Sequence, residues 1–457
     1  MSGSLAPQRS ETAFGDFKLP LLPSEAVAEA NRCLFCHDAP CIAACPTAID
    51  IPQFIRQIAS GNDRGSARTI FQSNILGASC ARVCPVEVLC VGACVYNHLD
   101  QPPIQIGRLQ RHATDRALEE GWRFFEAGAP TGRRVALIGA GPASLAAAHE
   151  LRVRGHACTI FERRADVGGL NLTGVAPYKM RAETAVAEAQ WVLAIGGIEL
   201  RTGVEVGRDI TLQELERGFD AVFVGVGLGE DAMLRVPGAQ LPGVLGAVSW
   251  IERMKMTALE LAGVRRCVVV GGGNTALDAA REARGLGIEE VTLVYRGRRE
   301  TASGYAHELS AALDEGARAV WQAVPVAFEG DARVERVRCV RLDEAKRTIP
   351  GTEFTVEADL VLVAIGQSRL GELFAGLEGL RIEQGRLLTD EHGFTGRRGW
   401  WAGGDCANGG KEVVNAAAEG KRAAIAIDAA LGAGAGAGAA AGAAPPGARR
   451  AAGDAHG

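Results

Sequence analysis

The chain has 457 residues, enough for about two to four domains that each bury a core of their own. Its 47% apolar and 23% charged residues are ordinary for a globular protein, and a net charge of −5 gives no electrostatic reason to expect nucleic acid or an anionic membrane as partner. The start, MSGSLAPQRSETAFGDF, lacks the basic residues and apolar core of a signal peptide, no stretch reads as a membrane span, and the chain is too long and too poor in loops for a secreted disulfide scaffold. A reducing cytoplasm is the expected setting.

Residues 1–125 form a segment of short helical patterns. Ser24 is the expected cap of a helix leading into the first cysteines, and Ile51–Ile58 and Ile104–Leu118 carry helical apolar spacing. Eight of the 12 cysteines fall here, in the runs Cys33-x2-Cys36-x4-Cys41-x3-Cys45-Pro46 and Cys80-x3-Cys84-Pro85-x4-Cys90-x3-Cys94. Thiolates this dense hold either structural zinc or iron–sulfur clusters. Zinc knuckles pair tighter Cys-x2-4-Cys spacings, whereas the Cys-Pro endings resemble ferredoxin runs, so two [4Fe–4S] clusters are the favoured reading.

After a turn-like stretch over 126–132 the pattern changes to strand, glycine turn, helix, strand. RRVALIGAGPASLAAAHELRVRGHACTIFE predicts strand 134–138, helix 142–154 and strand 157–161. Gly139 permits the tight turn, Gly141 lets backbone approach a pyrophosphate, and Ser144 stands at the third small position of the dinucleotide fingerprint. Glu162 ends the second strand where a ribose hydroxyl would be bound, and Gly168, Gly169 and Leu170 add bare backbone beside it. Near the other end, Trp401-Ala-Gly-Gly404-Asp405 places a carboxylate suited to ribityl hydroxyls, and a helix beginning around Asn415 aims its N-terminus at a flavin ring. Together these predict an FAD domain.

A second copy begins at Arg265, with Gly271, Gly272, Gly273, Asn274 and Thr275 opening its helix. The acidic ribose residue is missing. Arg296 and Arg298 stand there instead, which inclines this NAD(P)H site slightly towards NADPH. Ala364 and Gly366 are expected on the nicotinamide side. No Cys-x-x-C pair lies in this unit, and Cys267 reads as a buried core thiol, so electrons are not expected to leave through a dithiol. The segments Asp220–Gly227 and Asp359–Gly366 look alike, and the second nucleotide unit lies between them. The expected fold is α/β with an N-terminal all-α iron–sulfur domain and two Rossmann-like dinucleotide-binding domains, the second inserted in the first. The expected division is 1–125 for the iron–sulfur domain, 133–245 with 360–431 for FAD, 246–359 for NAD(P)H, and 432–457 as a disordered tail.

CLFCHDAPCIAACP, SNILGASCARVCP, PIQIGRLQR, GAGPAS, VGGL, GGGNTALDAA and WAGGDC together resemble the electron-input half of dihydropyrimidine dehydrogenase, which in bacteria is a separate small subunit. The small subunit of glutamate synthase is similar at a greater distance. The resemblance implies that Cys33, Cys36, Cys41 and Cys94 hold one cluster. It implies that Cys45, Cys84, Cys90 and the amide oxygen of Gln110 hold the second, with Cys80 a bystander, and that Lys179 lies near the flavin. Ser303 stands where NADPH-type members carry a third basic residue, which pulls back towards NAD. What the resemblance implies is an NAD(P)H-dependent oxidoreductase subunit whose electrons pass through FAD and two clusters to an FMN-containing catalytic subunit that reduces uracil or thymine. The small subunit of glutamate synthase is the alternative. A non-redox nucleotide-binding protein with structural zinc is the alternative of another class.

Overall fold

The computed structural model describes residues 5–368, 371–374 and 377–436. The described part of the cysteine segment has helices and loops and no strand: α1 (Pro23–Asn31), α2 (Pro40–Ala43), α3 (Ile51–Ala59), α4 (Asp63–Ser73), α5 (Gly77–Val83) and α6 (Ile106–Glu119). Asp50 caps α3 by accepting from the Gln53 amide at 3.1 Å, and Asn62 caps α4 through Gly65 at 2.9 Å. Ser24 is not a cap. Pro23, with φ already suited to a first turn, starts α1 two residues earlier than a Ser24 cap would, and the Glu25 carboxylate accepts from the Leu22 amide.

The first α/β unit runs through β1 (Arg134–Ile138), α7 (Pro142–Val153), β2 (Ala157–Glu162), α8 (Leu170–Thr173), α9 (Ala182–Leu193), β3 (Ile198–Thr202), α10 (Leu212–Gly218) and β4 (Ala221–Val224). The second runs through β5 (Val244–Gly246), α11 (Ala247–Met256), β6 (Arg266–Val270), α12 (Asn274–Gly285), β7 (Glu290–Tyr295), α13 (Ala306–Asp314) and β8 (Arg318–Trp321). It continues with β9 (Ala323–Glu329), β10 (Arg336–Arg341), β11 (Phe354–Glu357) and β12 (Leu360–Val363). A small hairpin, β13 (Ile382–Glu383) and β14 (Arg386–Leu387), precedes β15 (Trp400–Ala402), α14 (Asp405–Asn408) and α15 (Val413–Gly436).

The first sheet has the order β15-β4-β1-β2-β3 and the second β5-β12-β6-β7-β8; every pairing within them is parallel. β9, β10 and β11 form a separate antiparallel sheet. Strands such as β4 and β12 are buried along their whole length because helices or a second sheet cover both faces.

The return of the chain corrects the sequence reading. Residue 360 does not re-enter the first unit: β12 pairs with β6 and β5 of the second sheet. The two look-alike segments are equivalent strands of separate units. β4 lies beside β1 as β12 lies beside β6, and each is preceded by an aspartate that accepts from the first amide of the glycine-motif strand, Asp220 from Arg134 at 2.8 Å and Asp359 from Arg266 at 2.9 Å. The strand that re-enters the first sheet is β15, against β4. α15 continues past Leu431 to Gly436, through the first residues of the predicted tail; the rest of that prediction, residues 437–457, lies outside the described residues.

The helical segment does not have a core to itself. Phe54, Ile70, Phe71 and Leu109 pack into one apolar cluster with Leu145, Ala146, Trp191 and Val192 of the first α/β unit. No helix of the described residues is long and apolar enough to cross a membrane.

Candidate functional site

One cavity of about 1710 Å³ runs between the two parallel sheets, and both glycine motifs open into it. At the first motif, Gly139 has φ +88°, and the loop bearing Gly141 faces Gly169, which has φ +55°. A Cβ on Gly169 would stand 2.8 Å from the Gly141 Cα, so bare backbone on both loops is what lets them meet. Glu162 accepts from Ala140 N at 2.8 Å and from Arg164 N at 2.8 Å. An ionised carboxylate has lone pairs left after two such bonds, so it still offers an acceptor to a ribose.

Gly139, Gly141, Glu162, Gly169, Leu170, Lys179, Gly404 and Asp405 line the cavity on this side. Burial pushes the Asp405 carboxyl upward, opposed by the Lys411 amide that it accepts from. Three predicted residues have other roles among the described contacts. Ser144 is fully buried and faces Gly225, whose added Cβ would meet its Oγ at 2.2 Å; it lets α7 lie close on β4. Gly168 donates to Ala140 O at 2.9 Å and ties the two glycine loops together. Asn415 accepts from Glu412 N at 3.3 Å in the first turn of α15, which begins two residues earlier than expected.

On the second side Gly272, Gly273, Asn274, Thr275, Arg296, Ser303, Ala364 and Gly366 line the cavity. Arg298 is drawn off to Glu344 and does not. Sequence reasoning named Lys179 and missed the groups around it at the junction of the two halves. Lys179 is held by Asp278 and Glu308, each at 2.8 Å, and these pairs outweigh burial and raise its pKa. Tyr305, whose amide donates to Asn274 Oδ1 at 2.9 Å, donates its hydroxyl to Glu412 at 2.7 Å. Burial pushes Glu412 upward. Tyr305 lies 31 residues beyond Asn274, and no spacing rule connects them; Glu412 shows only as the acidic residue before a helix.

Cys33, Cys36, Cys41 and Cys94 line a second cavity of about 30 Å³, closed by Ile51, Ile55 and Ile104. Burial and the neighbouring Cys33 and Cys94 push the Cys41 thiol up to about 12. Cys45, Cys84 and Cys90 meet in a separate apolar cluster that also includes Cys80. The Cys80 thiol, burial and the neighbouring Cys90 and Cys45 raise Cys84 well above the ordinary thiol range. Gln110 is buried on α6 and donates its amide nitrogen to Gly77 O at 2.8 Å, leaving the amide oxygen as its other polar end. Among the described residues no three His, Cys, Asp or Glu side chains converge as ligands of one metal ion do, the arrangement that a structural zinc needs. Cys267 lies in the core of the second unit and contributes to neither group.

The two kinds of site touch. Val83 and Pro85, on either side of Cys84, line the large cavity, as does Val413, which packs against the second cysteine group. Behind them, Glu188 on α9 accepts from the Ala78 and Ser79 amides at the start of α5, at 2.7 and 3.1 Å. Burial pushes this carboxyl up to about 7 against those hydrogen bonds.

A family model described as dihydropyrimidine dehydrogenase domain II, 4Fe-4S cluster, matches residues 9–122, and one described as pyridine nucleotide-disulphide oxidoreductase matches residues 133–420. The chain belongs to the pyridine nucleotide-disulphide oxidoreductase family. It is an NAD(P)H-dependent flavin and iron–sulfur oxidoreductase with an iron–sulfur domain ahead of the nucleotide-binding units. It is 36% identical over 402 residues to the NAD-dependent dihydropyrimidine dehydrogenase subunit PreT of Escherichia coli (strain K12), covering 88% of this chain and 93% of that protein. It is 33% identical over 426 residues to the glutamate synthase [NADPH] small chain of Azospirillum brasilense, covering 88% of each. FprA of Mycobacterium tuberculosis in complex with NADPH shares the fold, with a TM-score of 0.55 at 21% identity over 67% of this chain and 86% of that one.

Proposed function

We propose that this family member is the electron-input subunit of a dihydropyrimidine dehydrogenase. In this reading, electrons from NAD(P)H pass by way of FAD and two [4Fe–4S] clusters to an FMN-containing catalytic subunit that reduces uracil or thymine in the cytoplasm. The observation that carries the reading is the shared wall: both glycine motifs and the two neighbours of Cys84 border one cavity. Bound FAD supplies the conversion between a two-electron donor and one-electron carriers.

The roles of the chain's own residues follow from their positions. Gly139, Gly141, Gly169, Glu162 and Asp405 bind and orient the FAD. Gly272, Gly273, Asn274 and Thr275 seat the NAD(P)H pyrophosphate at the start of α12, where free amides and the helix dipole favour anions. Cys33, Cys36, Cys41 and Cys94 hold one cluster, and Cys45, Cys84, Cys90 and Gln110 the other. In this reading the protonation of the pyrimidine carbon belongs to the partner.

The similarity to glutamate synthase small chains supports a second reading, in which the same module feeds a glutamate synthase. Anaerobic co-purification from the source cells, followed by parallel assays with uracil and with glutamine plus 2-oxoglutarate, decides between them. NAD(P)H-dependent loss of uracil is expected. Turnover only with glutamine and 2-oxoglutarate would replace the pyrimidine reading. A colourless protein containing zinc and no acid-labile sulfide would refute both.

A further inference from the structure

The residues just before α13 are pinned to the second glycine motif. Gly304 donates its amide to Gly272 O at 2.8 Å, and the Tyr305 amide donates to Asn274 Oδ1 at 2.9 Å. The approach is close: a Cβ on Gly304 would meet the Leu277 side chain at 2.5 Å and Gly272 O at 3.3 Å. From this anchored backbone the Tyr305 side chain reaches the other half of the cavity. Its hydroxyl donates to Glu412 Oε1 at 2.7 Å, and His307 backs its ring in a parallel stack with centroids 5.7 Å apart. Glu412 stands directly before α15 and directly after Lys411, whose amide donates to Asp405. Tyr305 and Glu412 are both half-buried, and both line the cavity.

One side chain thus ties the loop that seats a nicotinamide nucleotide to the wall that seats the flavin. Hydride transfer needs its donor and acceptor atoms about 3–3.5 Å apart, and small misplacements slow it strongly. We infer that Tyr305 is a positioning residue for this transfer, its hydroxyl bond to Glu412 setting how closely the two halves bring the nicotinamide to the flavin. The inference rests on the flavin reading of the cavity. In the step itself, NAD(P)H, FAD and one proton become NAD(P)+ and FADH2. The hydride leaves a nicotinamide C–H bond with both electrons and forms one flavin N–H bond, and a proton from water forms the other. Glu412 enters as the acceptor for Tyr305 and not as the source of that proton, so the bond requires an oxygen there rather than a charge. Lys179 with Asp278 and Glu308 holds the halves together at α12 and α13, so removing the Tyr305 hydroxyl shifts them locally and does not separate them.

The test uses the full chain with FAD and clusters, purified anaerobically, and follows flavin reduction by stopped flow with the faster of NADH and NADPH. Tyr305→Phe and Glu412→Ala are each expected to slow reduction about tenfold, the effect of one lost hydrogen bond to a charged group. The double variant should be no slower than either single one, because both remove the same bond. Glu412→Gln still offers the hydroxyl an acceptor and should keep at least about a third of the rate. Two readouts stand apart from turnover. Affinity for the oxidised nucleotide, measured by calorimetry, should stay within about threefold in every form, since the pyrophosphate seat is untouched. The long-wavelength charge-transfer absorbance of the dithionite-reduced protein with that nucleotide, which reports ring overlap, should weaken in Tyr305→Phe and Glu412→Ala and persist in Glu412→Gln. An unchanged rate and absorbance in Tyr305→Phe overturns the inference. So does a Glu412→Gln form as slow as Glu412→Ala, a double variant slowed about a hundredfold, or an affinity that falls as far as the rate. A protein that holds clusters and takes up no FAD refutes the flavin reading itself, and the inference with it; one that takes up FAD and fails these outcomes refutes the inference alone.

Discussion

Gln110 and Cys80 are rivals for one place. Cysteine spacing nominates Cys80, and its thiol does meet Cys84 within the second group. Gln110 is an unremarked helix-face residue in the sequence, known only through family resemblance. Its geometry gives it a specific posture: with Nε2 committed to Gly77 O, the oxygen is the end available to a ligand. Gln110→Leu is therefore expected to cost roughly half of the bound iron and one of two electron paramagnetic resonance signals, since one cluster loses a ligand. Cys80→Ser should leave iron and sulfide unchanged. Iron and sulfide analysis of both variants checks this, and the reverse pattern would give the ligand position to Cys80. Cysteines and glycines were legible because their chemistry is confined to few residue types. Tyr305 and Glu412 were not, because a phenol or a carboxylate gains its role only from what folding brings beside it.

At the scale of elements, the turn after β7 separates two arginines that look equivalent in the sequence. Tyr295 lays its ring against Gly272, where an added Cβ would meet it at 2.4 Å, and its hydroxyl donates to Thr301 O at 2.9 Å. That closes the turn so that Arg296 faces the cavity while Arg298 pairs with Glu344. If the turn reads a 2′-phosphate, Arg296→Ala should raise the KM for NADPH about tenfold with little change for NADH, as expected for one charge-assisted contact. Arg298→Ala should change neither. Steady-state kinetics with both nucleotides checks the pair, and equal losses for NADH and NADPH would mean that the turn does not discriminate. Strand–turn–helix units were readable because a buried parallel strand followed by glycine and an apolar helix has a strong pattern. The same strength caused the error at β12. An aspartate and an apolar run leading into a glycine describe β4 and β12 equally well, and only strand pairing tells which sheet each one joins.

At the scale of the whole molecule, both α/β units are touched by a segment with no motif to mark it. Residues 9–17 have no helical or strand period, yet they cross both α/β units. Ser10 donates its amide to Thr257 O at 3.0 Å and accepts from Leu259 N at 2.8 Å, both in the second unit. Glu11, fully buried, pairs with Arg9 at 2.9 Å and accepts from Ala182 N at 3.1 Å in the first. Phe14 packs against α12 beside Gly285, and Arg281 of that helix lies 4.7 Å above the Phe17 ring. Nearby, Lys255 is buried completely, with its ammonium on Val175 O and Met180 O at 2.8 and 2.7 Å; burial pulls it down to about 8, and Glu11 is the largest influence raising it again. Deleting residues 1–15 therefore removes apolar cover from α12 and a compensating charge from Lys255 together, while keeping Asp16 for its pair with Arg111 at 2.7 Å. The expected result is a thermal midpoint lower by several degrees, on the order of 5 °C, for a loss of a few kcal/mol in a chain of this size. The chain near Thr257, where the strap's hydrogen bonds are lost, should also become more open to limited proteolysis. Calorimetry and timed proteolysis of the flavin-loaded protein check both. An unchanged midpoint with unchanged cleavage would show that the two units hold their relative position without the strap, through contacts such as those of Lys179 with Asp278 and Glu308 and of Tyr305 with Glu412.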